Sequence, residues 1–322
     1  MSLRGGIDLG GTKIQAVIVD RRSTPVGEHR EPTPKDGGPS EVVAAMAAAL
    51  REAAGAAGVE PADLVGVGVG SPGTIDAGAG TVAHARNVTP DWDEPVPVGE
   101  TLTSELGTPA FLGHDVSVAT NAEFALGAGK PYRSLLGVFW GTGVGGGLVL
   151  RGKLWHGRGA AGEIGHMVVK RGGARCGCGR RGCMEAYAGR KAMEEEARRR
   201  VKAGHHTKLF EIMKERDRPQ LTSGVWERAL RGGDHMATKL IDRAVEALGA
   251  GVASAVNLLD VEAVVIGGGL GTRLGSPYAE RIERAMRPHL FVDERPPAVM
   301  VAALGDLGGA IGAALLVPRR AV

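Results

Sequence analysis

The chain has 322 residues, 43% of them hydrophobic, enough for roughly two domains with buried cores. Its 39 basic and 36 acidic residues leave a net charge of +3, which removes any general electrostatic case for nucleic acid or an acidic membrane surface as partner. No apolar run reaches the roughly 18 residues of a membrane span, no basic segment with a long apolar core opens the chain, and three cysteines make a poor disulfide scaffold, so the expected compartment is the reducing cytoplasm.

Apolar, β-rich runs at 3–7 and 14–19 flank the turn Asp8-Leu9-Gly10-Gly11-Thr12-Lys13. Two glycines let backbone approach an anion and Thr12 offers a hydroxyl, so Gly10, Gly11, Thr12 and Lys13 read as a phosphate grip. It is not a Walker A loop, because the order is Gly-Thr-Lys rather than Gly-Lys-Ser/Thr. An Ala-rich helix is expected from Ser40, its N-cap, to Ala57. Runs at 65–70 and 109–112 complete an α/β unit over about the first 115 residues. Asp115 follows the second of these runs and precedes the helical pattern Val116 to Ala128. There, loops meet the carboxyl edge of a sheet and active sites form, although a helix N-cap would occupy the same place.

A second α/β series begins with Leu135 to Trp140. The cluster Gly141-Thr142-Gly143-Val144-Gly145-Gly146-Gly147 matches Gly-x-Gly-x-x-Gly, but β-like Leu148-Val149-Leu150 follows instead of a helix, which argues against a dinucleotide fingerprint and for a second phosphate turn. Helical patterns lie near 190–203, 223–231 and 234–256, and within the first the order of Glu194 to Arg200 supports an exposed face through i,i+4 pairing. The segment 204–221 is polar, contains Pro219 and reads as a surface insertion. The β-run Ala263 to Ile266 closes on Gly267-Gly268-Gly269, whose bare backbone could admit a base or ribose. A short strand, Val299 to Ala303, and a small-residue helix, Leu307 to Leu316, end the series.

All three cysteines fall within eight residues, in Cys176-Gly177-Cys178-Gly179-Arg180-Arg181-Gly182-Cys183. With His166 they offer three thiolates and an imidazole, the donor set of a closed structural zinc site; three reduced, packed thiols are the alternative. Such an ion would tie a Gly-rich loop with little apolar content of its own and draw Glu163 and Glu185 together. Carboxylates so placed would accept hydrogen bonds from sugar hydroxyls, with the second nitrogen of His166 beside them.

Taken together, Asp8 to Lys13, Gly113-His114-Asp115, Gly141 to Gly147, Glu163-Ile164-Gly165-His166, Cys176 to Glu185 and Gly267 to Gly269 resemble the family named for repressors, open reading frames and kinases, the ROK family. The pattern Cys-x-Cys-Gly-x-x-Gly-Cys-x-Glu matches at every fixed position, and the resemblance covers nearly the whole chain. It implies an α/β, two-lobed actin-like ATPase (ribonuclease H-like) fold with ATP in a cleft between lobes at 1–115 and 116–304, the C-terminal segment 305–322 returning to the first. It implies a hexose kinase, acting on the 6-hydroxyl of glucose, with ATP and Mg²⁺, a structural Zn²⁺, and a homodimer or homotetramer. Asp115 would be the general base and Asp8 would orient the hydrated metal. Asn87, His114, Asp115, Glu163, His166 and Glu185 would hold the sugar, while Gly10 to Lys13, Gly141, Thr142, Gly143 and Gly267 to Gly269 would hold the nucleotide. The family usually has Asn before the aspartate, so His114 puts substrate choice in question. Kinases of other hexoses or N-acetylated amino sugars share every motif, and a catalytically silent sugar-binding protein is a further alternative. The repressor branch needs a DNA-binding module ahead of these motifs; only seven residues precede Asp8, which favours the kinase branch and no nucleic-acid partner.

Overall fold

The computed structural model describes residues 2–318. The chain divides into two compact units, one formed by Met1–Gly127, His156–Gly159 and Ala303–Val322, the other by Ala128–Trp155 and Ala160–Ala302.

The first unit is built on β1 (Arg4–Leu9), β2 (Lys13–Val19) and β3 (Pro25–Pro32). After these come α1 (Gly38–Ala56), β4 (Val67–Ser71), a small hairpin of β5 (Thr74–Asp76) and β6 (Thr81–Ala83), α2 (Val98–Leu106), β7 (Ala110–His114) and α3 (Asp115–Ala125). The sheet order is β3-β2-β1-β4-β7, antiparallel through the first three strands and parallel through β1, β4 and β7. Strands β1 and β2 are nearly all buried, as their unbroken apolar runs require for a sheet covered on both faces. β3 is absent from the sequence reading. Its alternation is carried by charged and polar residues with a proline at each end, the composition of an exposed edge strand rather than an apolar one. The cap of α1 also differs from expectation: Gly37, at φ 83, precedes the helix and Pro39 occupies its first turn, so Ser40 lies inside and caps nothing.

The second unit contains β8 (Leu135–Trp140), β9 (Val144–Leu150), β10 (Lys153–Leu154) and helices α4 (Glu185–Ala188), α5 (Arg190–Lys202), α6 (Leu209–Glu215), α7 (Ser223–Arg231) and α8 (His235–Leu259). It continues with β11 (Ala263–Gly267), α9 (Gly268–Leu274), α10 (Ser276–Met286) and β12 (Ala298–Val301). Its sheet runs β10-β9-β8-β11-β12, with the same sequence of antiparallel and parallel pairings as the first. α8 starts at Asp234, whose carboxylate accepts the Ala237 N–H at 2.7 Å, and supplies a long apolar face to the core. The 204–221 segment is not a simple surface insertion. Leu209, Ile212 and Leu221 enter that core, and α6 forms between them ahead of Pro219.

The last helix, α11 (Gly308–Ala314), belongs to the first unit and packs on β1, β4 and α3. Both partners are small: the space for a side chain on Gly6 or Gly68 is filled by the carbonyls of Ala310 and Ala313. Glu123 of α3 holds the entry, accepting the N–H groups of Ala303 and Leu304 at 3.0 and 2.8 Å. Of the C-terminal segment 305–322, residues 319–322 lie outside the described residues. Among the described residues no helix is long and apolar enough to cross a membrane.

Candidate functional site

In the first unit the parallel strands set their carboxyl ends side by side: Asp8 pairs with Gly70 and Ser71 with His114 in adjacent ladders. This register brings Asp8, near the end of β1, and Asp115, the first residue of α3, to one edge of the sheet. Bare backbone makes the room: Cα of Asp115 lies 3.5 Å from where a side chain on Gly70 would begin, and one on Gly309 would meet Asp8 Oδ2 at 2.5 Å. Burial pushes the Asp8 carboxyl up to about 7, with the charge of Asp115 adding to it and Lys13 opposing. Asp115 is likewise raised by burial, while His114 and the Val116 N–H pull it down. That N–H donates to Asp115 Oδ1 at 2.7 Å, and His114 Nε2 stands 3.6 Å from the same oxygen. Asp115 is thus the first residue of the helix, with His114 in the cap position.

The turn beside Asp8 is closed by Gly10 N–H donating to the Lys13 carbonyl at 2.9 Å and is braced from the chain after β3. Thr33 Oγ1 donates to the Gly10 carbonyl at 2.7 Å, and Lys35 Nζ donates to the carbonyls of Gly11 and Val88. The backbone of Asn87 packs against Gly11, so the Asn87 loop and the Gly10–Lys13 turn lie together, with Thr12 exposed. Fully buried Trp92 anchors this loop through its indole N–H to the Val82 carbonyl, 3.0 Å.

In the second unit the ligating atoms of His166, Cys176, Cys178 and Cys183 all lie within 4.8 Å of one another. Cys178 and Cys183 sulfurs are 3.7 Å apart, too far for a disulfide and close to the roughly 3.8 Å edge of a tetrahedron with metal–sulfur bonds of about 2.3 Å. Short β-bridges, Val168 with Cys183 and Arg175 with Arg181, fold the loop back on itself. Burial pushes the Cys176 thiol up to about 12 despite the Cys178 N–H beside it, so a cation is needed to keep it as thiolate. The four donors fit a closed metal shell. His166 turns Nδ1 toward Cys176, 3.8 Å away, which leaves Nε2 toward Glu163 at 3.9 Å. Glu185, opening α4, accepts the Val144 N–H at 2.9 Å on Oε2, and Cys176 Sγ lies 3.6 Å from Oε1. The sequence-predicted trio Glu163, His166 and Glu185 is therefore strung along the metal loop, and Glu185 fastens that loop to the Gly141–Val144 turn.

That turn is closed by Gly141 N–H to the Gly143 carbonyl, 3.0 Å, and strand β9 already begins at Val144, so Gly145 to Gly147 are strand residues. The Gly267–Gly269 segment joins β11 to α9, and Gly269 N lies 3.8 Å from where a side chain on Gly141 would start. Here the sequence reading missed Arg190. The first two N–H groups of α5, from Arg190 and Lys191, donate to the carbonyls of Gly141 and Thr142, both at 3.1 Å. The Arg190 guanidinium reaches Thr142 Oγ1 at 2.7 Å and Ser223 Oγ at 3.3 Å. The available signal was a basic residue at the start of a helix, where the dipole disfavours it. Asn87, His114 and Asp115 fall in the first unit, and Glu163, His166 and Glu185 in the second.

Comparison with known proteins bears on both units. The family model described as ROK family matches residues 4–320. The chain is 33% identical over 318 residues to a glucokinase of Streptomyces coelicolor, covering 98% of this chain and 97% of the relative. Among solved structures it is similar to a ROK family glucokinase from Streptomyces griseus in complex with glucose and AMPPNP, at 32% identity and a TM-score of 0.83 over 98% of this chain and 99% of that one. It is also similar to the ROK hexokinase from Thermus thermophilus, at 35% identity and a TM-score of 0.77 over 98% and 97% of the two chains.

Proposed function

Since this chain belongs to the ROK family of actin-like α/β fold, we propose that it is an ATP-dependent hexose kinase whose acceptor is the 6-hydroxyl of glucose. The observation that supports this reading best is the pairing of Asp8 and Asp115 at one sheet edge, both held above the ordinary carboxylate range. Asp115 takes the hydroxyl proton through Oδ2, because Oδ1 is engaged by the Val116 N–H. As the sugar oxygen bonds to the γ-phosphorus, the bond to the bridging oxygen breaks and ADP leaves. Mg²⁺ accompanying ATP supplies neutralisation of the phosphoryl oxygens. Asp8, with Thr12, is the first unit's group for orienting its water shell, and Gly10 to Lys13, Gly141 to Gly143 and Gly267 to Gly269 are the backbone that admits the nucleotide.

Asn87 and His114 in the first unit, with Glu163, His166 and Glu185 in the second, are the groups that read the sugar hydroxyls. Zinc is the ion we assign to His166, Cys176, Cys178 and Cys183. Held by four protein donors, such an ion would have no open position for water, and its part would be structural, with His166 Nε2 and Glu163 left to face a sugar hydroxyl together. A cytoplasmic homodimer or homotetramer without nucleic-acid or membrane partners completes the proposal, and light scattering checks the assembly.

A coupled phosphorylation assay across glucose, mannose, fructose, N-acetylglucosamine and N-acetylmannosamine tests the activity. The expected result is the highest kcat/KM on glucose, and turnover on none of the five overturns the kinase reading. One observation favours a second reading: His114 sets a ring, not an amide, beside Asp115. A preference for an N-acetylated sugar in the same assay would select it.

A further inference from the structure

Among the described residues Arg190 is a cation without an ion-pair partner. It opens α5, where its charge opposes the positive end of the helix dipole. Its Nε is buried and has no hydrogen-bond partner, and the rest of the guanidinium is held only by the hydroxyls of Thr142 and Ser223. Among the described residues no carboxylate lies within ion-pair distance of it. Glu194, one turn along the helix, is taken up by Arg198 and by the Leu221 N–H. Burial lowers the pKa of the group, with Glu194 only partly opposing, so the folded chain carries an uncompensated desolvation cost at this point.

The two hydroxyls say what would complete it. Thr142 belongs to the phosphate turn, and Ser223 Oγ lies 3.4 Å from where a side chain on Gly269 would begin. Each accepts a hydrogen bond from the guanidinium, which leaves its own O–H free to donate. One cation and two hydroxyl donors therefore converge between the Gly141–Gly143 turn and the Gly267–Gly269 segment, a set that suits the oxygens of a phosphate chain. We propose that Arg190 reads the phosphates of the nucleotide, pairing with the chain where it passes between these two glycine segments. The ligand class is a nucleoside di- or triphosphate, and the proposal rests on the kinase reading for placing the nucleotide on them.

Calorimetric titration of wild type, Arg190→Ala, Arg190→Gln and Arg190→Lys with ATP, ADP, adenosine and inorganic tripolyphosphate tests this. The charge-assisted contact predicts that R190A weakens ADP and ATP about 10- to 100-fold and tripolyphosphate in parallel, while adenosine changes by less than about twofold. R190K recovers part of the loss, because it restores the charge without the fork, and R190Q recovers none. In steady state, KM for MgATP rises and KM for the sugar stays. Unchanged ADP affinity in R190A, or equal losses for ADP and adenosine, overturns the proposal; if R190A does not fold, the contrast between R190Q and R190K decides in the same way. If wild type phosphorylates no sugar yet binds ADP through Arg190, the subsite stands and the kinase reading falls. If wild type phosphorylates glucose and R190A keeps its KM for MgATP, the reverse holds.

Discussion

The two sheets share one strand order, and in each the turn after the strand that carries both antiparallel and parallel partners is glycine-rich: Gly10–Gly11 after β1, Gly141–Gly143 after β8. The backbone device is the same, but the side chains set behind it are opposite in charge. Behind the first stand two carboxylates, Asp8 and Asp115. Behind the second stands the guanidinium of Arg190, with the His166–Cys183 loop fastened on by Glu185. A glycine turn by itself is therefore chemically neutral. Its task is set by neighbours, and the acidic edge suits a hydroxyl proton and hydrated cations while the basic edge suits phosphate oxygens.

If the acidic edge does the proton chemistry, Asp115→Asn carries the largest effect. An amide of the same shape cannot take a proton, so kcat should fall about 10²- to 10⁴-fold with sugar affinity largely kept. Measured kcat at wild-type level would remove Asp115 from the mechanism. The next effect belongs to the metal loop. Chelation or Cys176→Ala should release the one zinc per chain that elemental analysis is expected to find, and weaken glucose binding about 10- to 100-fold, as loss of orienting groups does. Tryptophan fluorescence titration reads this directly, and full glucose affinity in metal-free protein would uncouple the loop from the sugar.

Asp8 gives a pH-dependent contrast. Its carboxyl sits at about 7 in the folded chain against 3.8 for a free aspartate side chain, so the folded state binds its proton more tightly than the unfolded state does. The Asp8 contribution to stability is therefore full at low pH and is lost as pH rises from about 4 to about 7. Asp8→Asn removes this, and urea unfolding should show it more stable than wild type at pH 8 by on the order of 2 kcal/mol, with no advantage at pH 4. Activity should move the opposite way, since an amide orients a hydrated cation poorly. Equal stability at both pH values would mean that Asp8 is not strained by its setting.

Much of this contrast was legible in the sequence, because it rests on local patterns. Asp8, Asp115 and the glycine turns stand where short apolar runs end, and such runs announce strands, while the His-Cys set shows itself by residue type and spacing. What escaped is what only packing decides. β3 alternates through charged and polar residues, with Val26 as its one large apolar residue and that exposed, and the polar 204–221 segment buries Leu209 and Leu221 through tertiary contacts. The place of Arg190 is likewise set by packing, since the hydroxyls that hold it, on Thr142 and Ser223, lie 48 and 33 residues away in the chain. The shared strand order was hidden too, since the two sheets share topology without a repeat in residues.

The smallest expected effect tests whether the acidic edge is tuned from within. His114 Nε2 lies 3.6 Å from Asp115 Oδ1, and its positive form lowers the pKa of that carboxyl, while burial and the nearby Asp8 carboxylate belong to the same edge. His114→Asn removes that charge and keeps a polar side chain. Without the charge of the ring beside it, Asp115 would hold its proton more tightly, so the acid limb of the kcat/KM profile for sugar should move upward by less than about one pH unit. On the alkaline side of that limb, where Asp115 has lost its proton in both proteins, they should differ by less than about threefold. An acid limb that stays in place, or moves down, would show that His114 acts on the sugar through shape alone and leaves the charge of Asp115 to its burial.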